Sequence, residues 1–130
     1  MISKYAVKTE NTMYVIFRIM VGLLFMMHGM QKLGWLGGES MKGLFLVVGI
    51  GETLVGLAIL LGFLVRYATV GGVIIMIGAQ VISHLPKSVW PLFNGGEASM
   101  LFLVSFLVIF SRGPGKYLSL EKALFKKEVC

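Results

Sequence analysis

The sequence predicts an all-α fold: a polytopic integral membrane four-helix bundle with both termini in the cytoplasm. Three observations lead there. Of the 130 residues, 57% are hydrophobic and only 14% charged, with a mean hydropathy of +0.88. A soluble chain this short has too high a surface-to-volume ratio to hide that much apolar surface, so the lipid bilayer is its predicted solvent and partner. Four stretches approach the roughly 20 apolar residues that a crossing needs, at about 13–33, 43–65, 67–85 and 92–111. Finally, with the amino terminus inside, the inner side collects Lys4, Lys8, Arg66, Arg112, Lys116, Lys122, Lys126 and Lys127, against Lys32, Lys42 and Lys87 outside. That eight-to-three bias predicts a multi-pass protein of the plasma (inner) membrane with N and C termini cytoplasmic. Beside membrane spans the formal net charge of +6 records topology and attraction to anionic lipid, so no nucleic-acid partner is expected. The short tails leave room for one transmembrane domain, 1–130.

The first span follows Lys4 and Lys8 as a signal peptide would. Its apolar part is too long for a signal core, Arg18 and His28 interrupt it, and no small-x-small cleavage site follows, so it reads as a retained anchor. Gly37-Gly38 breaks the helix into a first outer loop, Gly62 and the Arg66 junction make a tight inner turn, and Pro86 and Pro91 bracket a second outer loop. In the fourth span the uninterrupted apolar run, 98–110, has 13 residues. That is too short for about 30 Å at about 1.5 Å per residue, so the span is expected to begin near Leu92 and to bury Asn94 and Glu97. Gly113-Pro114-Gly115 ends it, and Ser119 caps a short amphipathic helix with Leu120, Leu124 and Phe125 beside Lys122, Lys126 and Lys127. Trp35 and Trp90 outside and Tyr14, Tyr67 and Tyr117 inside fit interface anchors. The two halves show no repeat, which gives an inverted-repeat transporter no support.

Function enters with Glu52, alone in the middle of an uncharged apolar stretch where a carboxylate costs roughly 3 kcal/mol. At 1.5 Å per residue Arg18 falls about 8 Å to its inner side, and Gln80, His28, Glu97 and His84 about 6 to 12 Å to its outer side. Arg18, Gly22, Phe25 and Gly29 form one stripe, and Gly49, Glu52 and Gly56 another, with small residues that let helices approach. The expectation is one interior cavity, open toward the outer leaflet, lined by Arg18, His28, Glu52, His84 and Glu97 with Gln80 and Lys32 nearby, and with Glu52 as partner of Arg18. Such a set suits ligand binding or a proton relay; His28, His84, Glu52 and Glu97 are the metal-ligand candidates, and paired histidines suit haem. No HExxH or Glu-x-x-His spacing specifies a metal. Plainer roles exist for each: Arg18 snorkelling to the interface, Glu52 joining helices in protonated form, the histidines hydrated at helix ends, Glu97 capping a helix start, Lys32 as an interfacial lysine. Cys130 is the only cysteine, so this chain alone builds no disulfide, CxxC pair or iron–sulfur cluster, and redox chemistry would need a bound cofactor or a partner. Gly71, Gly72 and Gly78 leave a flat face on the third span, which suits a homo-oligomer.

The first span reads Arg18-x3-Gly22-x2-Phe25-x2-His28-Gly29-x2-Lys32-Leu33, the second Gly51-Glu52-x3-Gly56 leading to Gly62-x3-Arg66. His84 ends the third, Asn94-Gly95-Gly96-Glu97 opens the fourth, and Gly113-Pro114-Gly115 followed by Ser119-Leu120-Glu121 closes the pattern. In these residues, over nearly its whole length, the chain resembles the DoxX family of small four-helix membrane proteins. Glu121 departs from the family's usual Asp but keeps the charge. The resemblance implies a membrane subunit linked to quinone or thiol redox metabolism, with quinone ahead of haem or metal as cofactor and redox-complex subunits as partners. It implies no defined reaction, and catalysis by this chain stays open. The His and Glu content alone also fits a small membrane transporter or binding protein for a metal ion or polar metabolite, and a plain scaffold needs neither.

Overall fold

The structure is a computed structural model and describes residues 1–126, so Lys127 and Cys130 lie outside the described residues. Helix boundaries follow the backbone breakers. α1 (Ile2–Lys32) starts well ahead of the expected span, because no Gly or Pro interrupts the chain before Gly22. α2 (Leu44–Leu61) starts after Gly43 and ends at Gly62, whose left-handed φ of 69° lets the Phe63 and Gly62 N–H groups close on the Ala58 and Ile59 carbonyls. α3 (Val65–Ala79) runs on through a π-helical turn, Gln80–His84. α4 (Pro91–Asn94) has Pro at its first position, and Gly95, at φ 73°, separates it from α5 (Glu97–Arg112). α6 (Leu120–Phe125) starts at Ser119, whose hydroxyl accepts the Lys122 N–H.

Among the described residues the fold is helical without strands. Three helices are long and apolar enough to cross a membrane: Ile2–Lys32, Leu44–Leu61 and Val65–His84. α5 has 16 residues, about 24 Å of helix. The fourth stretch is thus not the straight rod from residue 92 that the length argument assumed. The Gly95-Gly96 break turns the chain, and Glu97 stands exposed in the first turn of α5 rather than buried.

α1 packs along α2, α2 on α3, α3 on α5, and α1 touches α5 lightly. The α1–α2 seam is backbone on backbone. A Cβ on Gly22 would lie 2.5 Å from the Leu60 nitrogen, and one on Gly56 would lie 2.7 Å from the Gly22 oxygen, so neither position tolerates a side chain. Phe25, Phe102 and Phe106 fill the centre, with the Phe25 and Phe106 rings edge to face at 4.8 Å. The Phe106 ring occupies the space beside Gly72, and Val55 lies against Gly71, so the bundle itself uses two of the glycines expected to face a neighbouring helix.

At the end of the bundle that holds the α2–α3 turn, fully buried Arg18 closes the structure. Its guanidinium donates to the Pro114 carbonyl at 2.5 Å and the Leu118 carbonyl at 2.7 Å; Nε makes no hydrogen bond. Beside it Tyr14 donates to the Gly113 carbonyl, while Ser119 Oγ and the Glu121 N–H both donate to the Gly62 carbonyl. The buried Glu121 carboxylate accepts the Val65 N–H at 3.2 Å. The first and last sequence motifs, almost 100 residues apart, are therefore one latch that satisfies the orphan carbonyls after α5 and the orphan donors of α3. The carboxyl-terminal helix is pinned under the turn rather than resting on its apolar face alone.

Arg18→Ala should cost about 3 kcal/mol, since it strips charged hydrogen bonds from buried carbonyls. Trypsin should then cut faster after Lys116. Arg18→Lys should recover less than half of the loss, because an ammonium lacks the fork that spans two carbonyls. Melting in detergent and timed proteolysis read both effects.

Candidate functional site

The opposite end, where the α1–α2 and α3–α4 loops lie, holds a cavity of about 500 Å³ between α1, α2, α3 and α5. Its polar groups are His28, Lys32, Glu52, Ser83, His84 and Ser99; Phe25, Val48, Ile75, Met76 and Phe102 form apolar walls. Leu44, Phe45, Ile74 and Ile82 also line it, and each is exposed on the outer surface of the bundle.

Glu52 does not meet Arg18. Its Oε2 accepts a hydrogen bond from Lys32 Nζ at 2.7 Å, with side-chain exposures of 4% for Glu52 and 20% for Lys32. Helix geometry decides between the two cations. With Gly22 and Gly56 in contact, and Gly29 against Gly49, Glu52 comes level with about residue 26 of the antiparallel α1. Lys32 lies about 9 Å ahead and Arg18 about 12 Å behind. Helical side chains lean toward their own amino terminus, so Lys32 leans back to Glu52 while Arg18 leans away into the latch. Gly49 lets the Lys32 stem pass, since a Cβ there would lie 2.8 Å from Lys32 Cβ. Lys32 is therefore half of a largely buried ion pair and not merely an interfacial lysine.

The π-helical turn adds one residue to the last turn of α3 and aims Gln80 and His84 at the α4–α5 junction. Gln80 Nε2 donates to the Gly96 carbonyl at 2.9 Å. His84 Nδ1 lies 3.1 Å from the Asn94 carbonyl oxygen, and its Nε2 lies 3.4 Å from Ser99 Oγ. The junction is rigid: buried Asn94 donates through Nδ2 to the Ser88 carbonyl and accepts the Gly96 N–H at 2.7 Å. His28 sets its ring edge-on to Phe102, with centroids 5.5 Å apart.

Four of the expected residues thus share the cavity wall: His28, Lys32, Glu52 and His84. Gln80 braces the wall from behind. Arg18 is in the latch at the far end, and exposed Glu97 is outside the lining. Among the described residues no three His, Cys, Asp or Glu side chains come together as a metal site. Ser99 and Asn94 are site residues that sequence reasoning did not assign. Asn94 was findable, because Asn before Gly-Gly is the signature of a side chain that bonds its own backbone two residues on.

A family model described as DoxX matches residues 13–85, which include the ion pair, both histidines and Gln80 but neither Asn94 nor Ser99. An uncharacterized protein of Haemophilus influenzae is 29% identical over 120 residues, covering 85% of this chain and 89% of its own. An uncharacterized membrane protein of Mycobacterium tuberculosis is 26% identical over 134 residues, covering 87% and 82%. No solved structure matches the chain.

Lys32→Ala should destabilise by about 2 kcal/mol, because it leaves the Glu52 carboxylate buried without a partner. Adding Glu52→Gln should restore at least half of that, with a coupling of about 1 kcal/mol or more in a double-mutant cycle. Strict additivity of the two melting shifts would mean that the pair contributes nothing.

Proposed function

The chain belongs to the DoxX family of membrane proteins, and on that premise we propose that it is the membrane subunit of a quinone- or thiol-linked redox system, with a quinone head held in the cavity at the loop end. One observation carries this reading: buried Glu52 and half-buried Lys32, His84 and Ser99 line the same cavity as the exposed apolar side chains Leu44, Phe45, Ile74 and Ile82. A ligand with a polar ring and an apolar tail matches that lining, and 500 Å³ is in the range of small-molecule sites. A quinone bound there would supply two-electron, two-proton redox chemistry. Lys32 would donate to a ring oxygen, with Glu52 keeping the ammonium oriented and compensated and the Phe25 and Phe102 rings excluding water. The alternative, a transporter or binding protein for a metal ion or polar metabolite, rests on the same His and Glu content and draws less from the geometry, which assembles no metal-ligand group among the described residues.

We infer, as part of the same reading, that α5 makes a fourth crossing together with α4 and that both termini are cytoplasmic. The support is the gathering of Lys4, Lys8, Arg66, Arg112, Lys116 and Lys122 at the latch end, against Lys42 and Lys87 on the loops. A membrane-impermeant maleimide should label Cys130 only after the membrane is opened; labelling in intact spheroplasts contradicts the topology.

Solvent extracts of the purified protein should contain quinone, and Lys32→Met, which keeps the stem and deletes the donor, should weaken quinone binding about tenfold. Extracts and titrations free of quinone, with metal found instead, would favour the alternative.

A further inference from the structure

The bonding of His84 fixes which nitrogen carries its proton. A backbone carbonyl only accepts, so the 3.1 Å contact to Asn94 requires the hydrogen on Nδ1. With the ring neutral, Nε2 is then a bare acceptor. Its one partner among the described residues is Ser99, whose hydroxyl donates across 3.4 Å, longer than a well-formed bond. Both residues line the cavity, and the carbonyl that orients the ring is itself held by the Asn94 side chain in the braced α4–α5 junction. The ring therefore presents a fixed lone pair with unused bonding capacity to whatever occupies the site.

We propose that His84 makes the cavity selective for the reduced, hydroxyl-bearing form of its ligand over the oxidised, carbonyl-bearing form. The inference rests on the quinone reading and sharpens it. A quinol hydroxyl donates to Nε2 and displaces the weak Ser99 contact. A quinone carbonyl at the same place sets one acceptor against another, and Ser99 keeps its bond. Lys32 cannot make this distinction, since its ammonium donates equally well to a carbonyl or a hydroxyl oxygen, and it already holds the Glu52 Oε2. What sets His84 apart among the lining acceptors is that the backbone carbonyl of Asn94 fixes which of its nitrogens is bare.

The test titrates detergent-solubilised full-length protein with decylubiquinol and, separately, decylubiquinone under anaerobic conditions. The wild type should bind the quinol about fivefold more tightly, the effect of one neutral hydrogen bond. In His84→Phe the ratio should fall to near one. In Ser99→Ala, which frees Nε2 without touching the imidazole, it should persist or rise. Histidine nitrogen NMR of the ligand-free protein should show Nδ1 protonated and Nε2 bare. Equal affinities in the wild type, a preference that survives His84→Phe, or a ring protonated on Nε2 each overturn the selectivity and leave the quinone reading standing. If neither form binds, the quinone reading falls and takes the selectivity with it.

Discussion

The register between α1 and α2 governs both ends of this molecule. It is set by Gly22 and Gly56, where the backbones approach so closely that no side chain fits between them. In lipid there is little hydrophobic gain from bringing helices together, so such close contact supplies much of the cohesion and also tolerates little sliding. Once that seam is locked, Lys32 overhangs Glu52 at one end and Arg18 reaches the carboxyl-terminal segment at the other. A slip of one turn, about 5.4 Å, would separate the ion pair and strand both buried charges.

The two ends solve the problem of buried polarity differently. At the latch, cationic and hydroxyl side chains are consumed by backbone carbonyls, and the buried carboxylate of Glu121 by a backbone donor. Apart from the Arg18 Nε, which makes no hydrogen bond, the polar atoms named here are taken up by the fold. At the loop end the charges are paired across two helices, and exposed His28 and half-buried His84 line the cavity. The latch is thus given over to holding the chain together, whereas at the loop end the same ion pair both steadies the helices and lines the cavity.

Much of the fold was legible, because Gly and Pro act locally. Gly62, Pro91 and Gly113 punctuate the chain where the helices stop and start, and the apolar stretches mark the long helices. What was misread depended on three-dimensional facts. Depth along the membrane pointed to Arg18 as the partner of Glu52, whereas the lean of helical side chains favours Lys32. The burial expected of Glu97 assumed a straight helix through Gly95 and Gly96. The first span was expected from about residue 13, yet nothing in residues 2–12 breaks a helix, and the Glu10–Arg112 ion pair ties them to the end of α5. Ser99 gave no signal, since a lone serine in an apolar helix is ordinary.

The exposed apolar part of the cavity lining also sets how strong the site must be. On the proposed reading, a ligand entering past Ile74 and Ile82 would come from the hydrocarbon phase, so its working concentration would be its mole fraction in the membrane and not its vanishing solubility in water. A hydrophobic compound present at around a millimolar in lipid half-fills a site worth only about 4 kcal/mol. Two or three well-placed polar contacts suffice for that. Occupancy would then track membrane composition directly, and a shallow, fast-exchanging pocket of this kind would serve a 130-residue protein better than a deep one.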